Sequence, residues 1–294
     1  MGEAMRKSTA AAAAGVLLAA LASGAEKKLW KDLYVTTGDI KVHYLEAGTG
    51  TRHMVFIPGW TMAAEVWREQ IPYFAARGFH VLALDPRSQG LTTKTEGGNT
   101  YHQQAADLHA LLKALNAEHP VLIGWSAGVT VILEYVASPE TLQPEKIVLV
   151  DGGPAMLKRD DYPYGFTLDQ ARNFVLSLQE DRAKSTDRFV RSMFKSRQPE
   201  LVFKETLDAS LKTPTGTAVS LMMDLVTGDR RPALLRIPSP TLIVVSQDSR
   251  TLGEYMQSKI PRSKLEVVAE AGHALFLDKP QTFNQTVEAF LGEQ

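Results

Sequence analysis

The 294-residue chain contains no cysteine. That absence excludes disulfides, thiolate catalysis and a lipid anchor attached through cysteine. Neither sign of charge is in excess. A formal net charge of -1 leaves no basic face for nucleic acid or for an anionic membrane, so neither is expected as a partner. Histidine and carboxylate spacing gives no metal-ligand motif, and neither metal nor cofactor is expected. Long hydrophobic runs are also missing. The apolar, alanine-rich stretch over residues 10–22 falls short of the roughly 20 residues that span a bilayer, so no stable membrane anchor is expected. What is present is ordinary for a folded enzyme, with 44% hydrophobic and 22% charged residues. The length suits one large α/β domain with an insertion, or two small domains.

The amino-terminal segment has its own logic. Arg6 and Lys7 precede the apolar run, and the small residues Ser23, Gly24 and Ala25 follow it. Charged, apolar and small residues in that order form a secretory signal peptide, expected over residues 1–25. Ser23 and Ala25 fill the two small-residue subsites before a cut at Glu26, with a cut after Ala22 as the alternative. The mature protein is then periplasmic or secreted. Amino-terminal sequencing of protein exported from a bacterial host should begin near Ser23 or Glu26. Recovery of full-length cytosolic protein alone would remove the leader.

Beyond the leader, short apolar runs alternate with helix-like stretches, the pattern of a mostly parallel sheet covered on both faces. Residues 35–37 and 40–46 predict a hairpin turning at Gly38-Asp39. Buried strands are predicted at 54–58, 81–84, 121–124, 147–150, 241–245 and 265–268. Helices are predicted at 64–77, 101–115, 127–137, 252–260 and 281–291. Between residues 152 and 238 no convincing strand occurs, only amphipathic segments such as 168–178 and 201–211. A gap that long is too large for a loop. The expected organisation is a core over 26–151 and 239–294, with a helical cap over 152–238.

One motif carries the chemistry. Gly124-Trp125-Ser126-Ala127-Gly128 follows the apolar run Val121-Leu122-Ile123 and opens a helical stretch. A strand-to-helix turn of this kind pushes a serine hydroxyl out at the carboxyl end of the sheet, and its glycines permit the crowding around it. The helix amino terminus behind the serine favours developing negative charge. Ser126 is therefore the candidate nucleophile.

A serine hydroxyl needs a base. Of seven histidines, His273 follows a predicted strand within Ala271-Gly272-His273 and precedes the last helix, on the same edge as Ser126. The other six sit within strands, on helices or at strand starts, where packing or surface roles suffice. The base needs an orienting carboxylate. Asp248, in Ser246-Gln247-Asp248, is the expected acid: it lies at the carboxyl end of the strand 241–245, in the chain order Ser, Asp, His. Asp151, ending the preceding strand within Val150-Asp151-Gly152-Gly153, is the rival. Backbone N–H groups of Trp60 and Ala127 are the expected oxyanion donors. Trp60 and Trp125, flanking the nucleophile, are expected to line the substrate pocket.

Together these residues resemble the α/β-hydrolase superfamily from about Leu33 to Leu291. The resemblance includes Gly59-Trp60, the loop from Asp85 to Gly90, the elbow at Ser126, Pro240, Asp248 and Gly272-His273. The stretch from Gly59 to Trp67, with Gly124-Trp125-Ser126, is similar to the biotin-pathway carboxylesterases. Two positions depart from the family pattern. Pro58 stands where histidine is common, and Ser88 stands where the loop after Asp85 usually has glycine. The resemblance implies a serine hydrolase acting on a small-molecule carboxylic ester or lactone. An amidase, peptidase or carbon–carbon bond hydrolase, a cofactor-free haloperoxidase or perhydrolase, and a non-catalytic binding protein on the same scaffold stay open. The cap residues Phe166, Phe174, Met193, Phe194, Met222 and Met223 are candidates for the pocket lining.

Overall fold

In a strand, successive side chains point to opposite faces, so a strand covered on both sides is apolar at every position. The chain follows this rule in a computed structural model that describes residues 29–293. The predicted leader over residues 1–25 lies outside them. Among the described residues one sheet is formed by β1 (Lys31–Thr37), β2 (Ile40–Ala47), β3 (Arg52–Ile57), β4 (Phe79–Leu84), β5 (Val121–Trp125), β6 (Lys146–Val150), β7 (Thr241–Ser246) and β8 (Ser263–Val268). Its order is β1-β2-β4-β3-β5-β6-β7-β8. The β1–β2 and β2–β4 pairs are antiparallel and all later neighbours are parallel. Gly38 makes the β1–β2 turn at φ +57°.

Around the sheet lie α1 (Gln70–Ala75), α2 (Tyr101–Ala114), α3 (Ala127–Ala137), α4 (Leu168–Glu180), α5 (Arg182–Ser192), α6 (Glu200–Leu211), α7 (Thr215–Thr227), α8 (Arg231–Leu234), α9 (Arg250–Lys259), α10 (Leu275–Asp278) and α11 (Pro280–Gly292). Met54 and Phe56 of β3, with Val148 and Val150 of β6, pack toward α1, α10 and α11. Val55 and Ile57, with Ile147 and Leu149, pack toward α2, α3 and α9. Each side chain buried in this way contributes about 1.5–3 kcal/mol.

Two elements differ from expectation. The helix predicted over 64–77 is broken into a short 3-10 turn, Ala64–Trp67, and α1. Pro72 explains the break, because its ring would meet the carbonyl of Arg68 in a continuous helix. The strand expected to be buried at 265–268 is the half-exposed edge strand β8, paired on one side only, with β7.

Between β6 and β7 the chain forms α4 to α8 and three isolated bridges, and adds no strand to the sheet. Leu178, Ala218, Leu221, Met222 and Leu225 of this cap share one apolar cluster with Trp60 and the α2–α3 face. The cap therefore packs on the loop after β3, at the carboxyl end of the parallel strands. Among the described residues no helix is long and apolar enough to cross a membrane.

Candidate active site

Ser126 is the first residue after β5 and the cap of α3, at φ +56° and ψ -117°. A non-glycine residue in that region is strained and is held by its surroundings. Here its N–H donates to Val150 O at 2.9 Å, and the flanking glycines let the turn pack tightly. A Cβ on Gly128 would lie 2.4 Å from Ile57 O, and one on Gly124 would lie 2.5 Å from Gly128 O. Both partners are backbone atoms that cannot step aside.

His273 Nε2 lies 2.9 Å from Ser126 Oγ. Its Nδ1 lies 2.7 Å from a carboxylate oxygen, and that carboxylate belongs to Asp151. The expected Asp248 lines the same cavity but makes no hydrogen bond or ion pair with His273. It sits on a short 3-10 turn, Gln247–Ser249, that carries it past the end of β7 onto an exposed position. Asp151 instead follows β6 directly, at φ +40°, which turns its side chain toward the imidazole. Its second oxygen accepts from Ser246 N–H at 2.8 Å and from Ser246 Oγ–H at 3.0 Å. Burial alone would raise the Asp151 pKa. The hydrogen bond and charge of His273, with the Ser246 donors, outweigh burial and hold it below the ordinary carboxylate value. An ionised Asp151 accepts the Nδ1 proton, which leaves the Nε2 lone pair facing the serine O–H.

The expected oxyanion donors lie at the same edge. Ala127 begins α3, so its N–H has no intrahelical acceptor. No backbone hydrogen bond among the described residues uses the N–H of Ala127 or of Trp60. The Trp60 ring lines the cavity at Ser126. Trp125 does not. It is 1% exposed, packs edge-on against Phe276 and donates its indole N–H to His273 O at 2.9 Å. As the last residue of β5 it points into the face opposite the cap, and it supports the base from behind.

Sequence reading missed the group that fixes the His273 loop. Asp278 Oδ2 accepts from the N–H groups of Gly272 and Lys195, each at 2.8 Å. Its Oδ1 accepts from Ser196 Oγ at 2.5 Å and from Gln198 Nε2 at 2.8 Å. On the other side of the base, Ala274 N–H donates to Met193 O at 2.8 Å. The loop between α5 and α6 is thus clasped to both neighbours of His273. Burial pushes the Asp278 pKa up, but the backbone and side-chain donors of Lys195, Ser196, Gly272 and Gln198 prevail and lower it.

A carboxylate lowered by folding stabilises the protein fully above its unfolded value, and that stability fades as pH falls through the folded value. Asp278→Asn should therefore cost about 2 kcal/mol in urea unfolding at pH 7, on the scale of hydrogen bonds to a charged group. The gap from wild type should close as pH drops below about 3.9. An equal gap at pH 7 and pH 3 would show that the charge of Asp278 contributes nothing.

The array opens on a cavity of about 760 Å³ between the sheet edge and the cap. Phe166, Phe174, Met193 and Met222 line it as expected, and Phe189, Leu225 and Leu252 join them. Phe194 and Met223 do not. Phe194 packs edge-on against Phe203, and Met223 is 44% exposed. Arg230 reaches the wall with its charge spent on Glu134 at 2.8 Å and Asp224 at 2.6 Å. The two departures from the family pattern also have local accounts. Ser88 adopts φ +62° and accepts from Thr95 N–H at 3.0 Å, so serine fills a conformation that usually takes glycine. Pro58 leads into a loop anchored from the cap, described below.

The sequence model of the alpha/beta hydrolase family matches residues 54–286, more than half the chain, and the protein belongs to that family. It is an enzyme of the α/β-hydrolase class. A non-heme chloroperoxidase of Kitasatospora aureofaciens is 26% identical over 88% of this chain and 98% of its own. The pimeloyl-[acyl-carrier protein] methyl ester esterase of Nitrosomonas europaea is 24% identical over 84% of this chain and 98% of its own. Among solved structures, an esterase from Exiguobacterium antarcticum superimposes with a TM-score of 0.85 at 24% identity, over 90% of this chain and all of that one.

Proposed function

We propose that the protein is a serine hydrolase that cleaves a carboxylic ester or lactone through an acyl-enzyme on Ser126. The observation that carries this reading is the line Asp151–His273–Ser126, at 2.7 and 2.9 Å, opening on an apolar cavity. In the first step Ser126 Oγ attacks the carbonyl carbon while its proton passes to His273 Nε2. Asp151 balances the charge of the resulting imidazolium, and the N–H groups of Trp60 and Ala127 receive the oxyanion. The leaving alkoxide takes the proton from His273. Water then attacks the acyl-enzyme by the same route, releasing the acid and restoring the serine.

The cavity volume is that of a pocket for a medium-sized ligand. Its aromatic, methionine and leucine walls favour an apolar acyl group, with Lys158, Asp248 and the ion-paired Arg230 as the further charged groups of the lining. Export through the leader would separate the enzyme from cytoplasmic carrier-bound substrates, so a carrier-linked ester is not part of this reading. The direct test is a fluorophosphonate probe followed by intact-mass analysis and peptide mapping. One adduct, on Ser126, is expected. An adduct elsewhere, or none on a protein that hydrolyses esters, would remove Ser126 from the mechanism.

A second reading is favoured by the relative named as a non-heme chloroperoxidase. If hydrogen peroxide replaces water in the second step, the same acyl-enzyme releases a peracid, which oxidises halide without a cofactor. Halogenation that needs both peroxide and a carboxylic acid, and that disappears with Ser126→Ala, would identify it.

A further inference from the structure

The loop that carries the Trp60 N–H is a tight turn, closed by Met62 N–H donating to Gly59 O at 3.1 Å. Its third residue, Thr61, is fully buried and has φ +58°. A turn with positive φ there ordinarily takes glycine or asparagine, and a β-branched residue is costly in it. Some outside contact must hold the turn in this form. The sequence offers no sign of one, since the residues next to Thr61 are apolar.

The contacts come from the cap. Thr61 Oγ1 donates to Trp60 O at 2.7 Å, which spends its only proton. The Ser210 hydroxyl, 2.7 Å away on α6, must therefore donate to Thr61 Oγ1. Ser210 O accepts in turn from Arg182 Nη2 at 3.2 Å, and the Arg182 guanidinium lies 5.5 Å from the centre of the Trp60 ring. The Trp60 indole donates to Ala218 O of α7 at 2.9 Å. Phe174 of α4 and Phe189 of α5 meet the same ring edge-on. Four cap helices thus grip the two central residues of the turn, and Ser210 is itself fully buried, so water does not compete for its proton.

We propose that the cap sets the position of the oxyanion donor, with Thr61 and Ser210 as positioning residues for the Trp60 N–H. This rests on the hydrolase reading above. Released from Ser210, the turn relaxes toward the form without a positive φ. The Trp60–Thr61 peptide then turns over. The change in Trp60 ψ that this requires shifts the adjoining Gly59–Trp60 peptide, whose N–H is the donor, while the ring stays held by Ala218 O. A donor must meet the oxyanion in a preorganised position, and a misplacement of about 1 Å can cost about 10²-fold in rate. Helix α6, which lines none of the cavity, then acts on the rate of the reaction.

Thr61→Val keeps shape and branching and deletes the hydroxyl; Ser210→Ala deletes only the cap donor to that hydroxyl and leaves Thr213 Oγ1 on Thr61 O. Each should lower kcat about tenfold with KM within about twofold, a fraction of the loss for removing an oxyanion donor outright. Each should weaken inhibition by phenylboronic acid, which forms a tetrahedral adduct with Ser126 Oγ, by the same factor. Thr61→Ser, which keeps the hydroxyl, should recover at least half of the wild-type kcat. If both hydroxyl-free variants retain wild-type kcat and boronate inhibition, the proposal is wrong, whatever happens to their melting temperatures. Should Thr61→Val fail to fold, Ser210→Ala decides alone. A wild-type protein inert to esters and to phosphonate would instead bring down the hydrolase reading, and this inference with it.

Discussion

Replacing Ser126 with alanine is expected to lower kcat by about 10⁶-fold while leaving the fold intact, since members of such an array act as a unit. The substitution removes one oxygen that points into the cavity. It leaves the Ser126 N–H to Val150 O bond and the packing of Gly124 against Gly128 unchanged. The residual rate, roughly 10³-fold above water, should come from the oxyanion donors and substrate binding alone. Adding His273→Ala to Ser126→Ala should cost almost nothing further, because a base without a nucleophile has no proton to take. Steady-state turnover of an activated ester by the three variants, beside circular dichroism of each, is the measurement. A double variant much slower than Ser126→Ala would mean that His273 has a second task.

Asp151→Asn should lower kcat by about 10⁴-fold, and the structure says why. One side-chain oxygen of Asp151 is held by two donors of Ser246, its N–H and its hydroxyl. In the asparagine variant that position must remain the carbonyl oxygen, so the amide NH₂ faces His273 Nδ1. The imidazole then has to accept there, and its proton moves to Nε2, where it meets the serine hydroxyl instead of receiving from it. Asp248→Asn is expected to change kcat by less than tenfold, since that carboxylate has no hydrogen bond to the base. Collapse of Asp248→Asn beside a nearly intact Asp151→Asn would return the acid to β7.

Ser126 and His273 were legible because each is announced locally, by a strand before it and glycines beside it. The acid was not, because two aspartates follow adjacent parallel strands and both satisfy the required chain order. What separates them is tertiary. Asp151 takes a positive φ at the strand end, while the 3-10 turn after Ser246 leaves Asp248 exposed on the cavity wall with no hydrogen bond to His273. One signal was available. Gly152 and Gly153 follow Asp151, and a Cβ on Gly152 would lie 2.4 Å from Ser126 O, so the glycine marks the strand end that packs against the nucleophile. Trp125 was misread for a similar reason. Neighbouring the nucleophile in sequence does not put a side chain on the same face, and as the last residue of a strand it faces the other way. Asp278 and Thr61 depend on partners far away in the chain, Lys195 and Ser196 for one and Ser210 for the other, and no local pattern records them.

The hydrogen bonds at the strand ends have one more consequence. Ser126 N–H bonds to Val150 O, Asp151 N–H bonds to Val244 O, and Ser246 N–H bonds to an oxygen of Asp151. Ser126, Asp151 and the Ser246 clamp on Asp151 are successive rungs across β5, β6 and β7. The first interval is one strand spacing, about 4.8 Å, among the least variable lengths in protein structure. The sheet serves as a ruler, and the imidazole spans the gap it measures. Insertions in the cap or the surface loops can reshape the cavity without altering that length, which leaves substrate choice free to drift while the reacting atoms keep their distances.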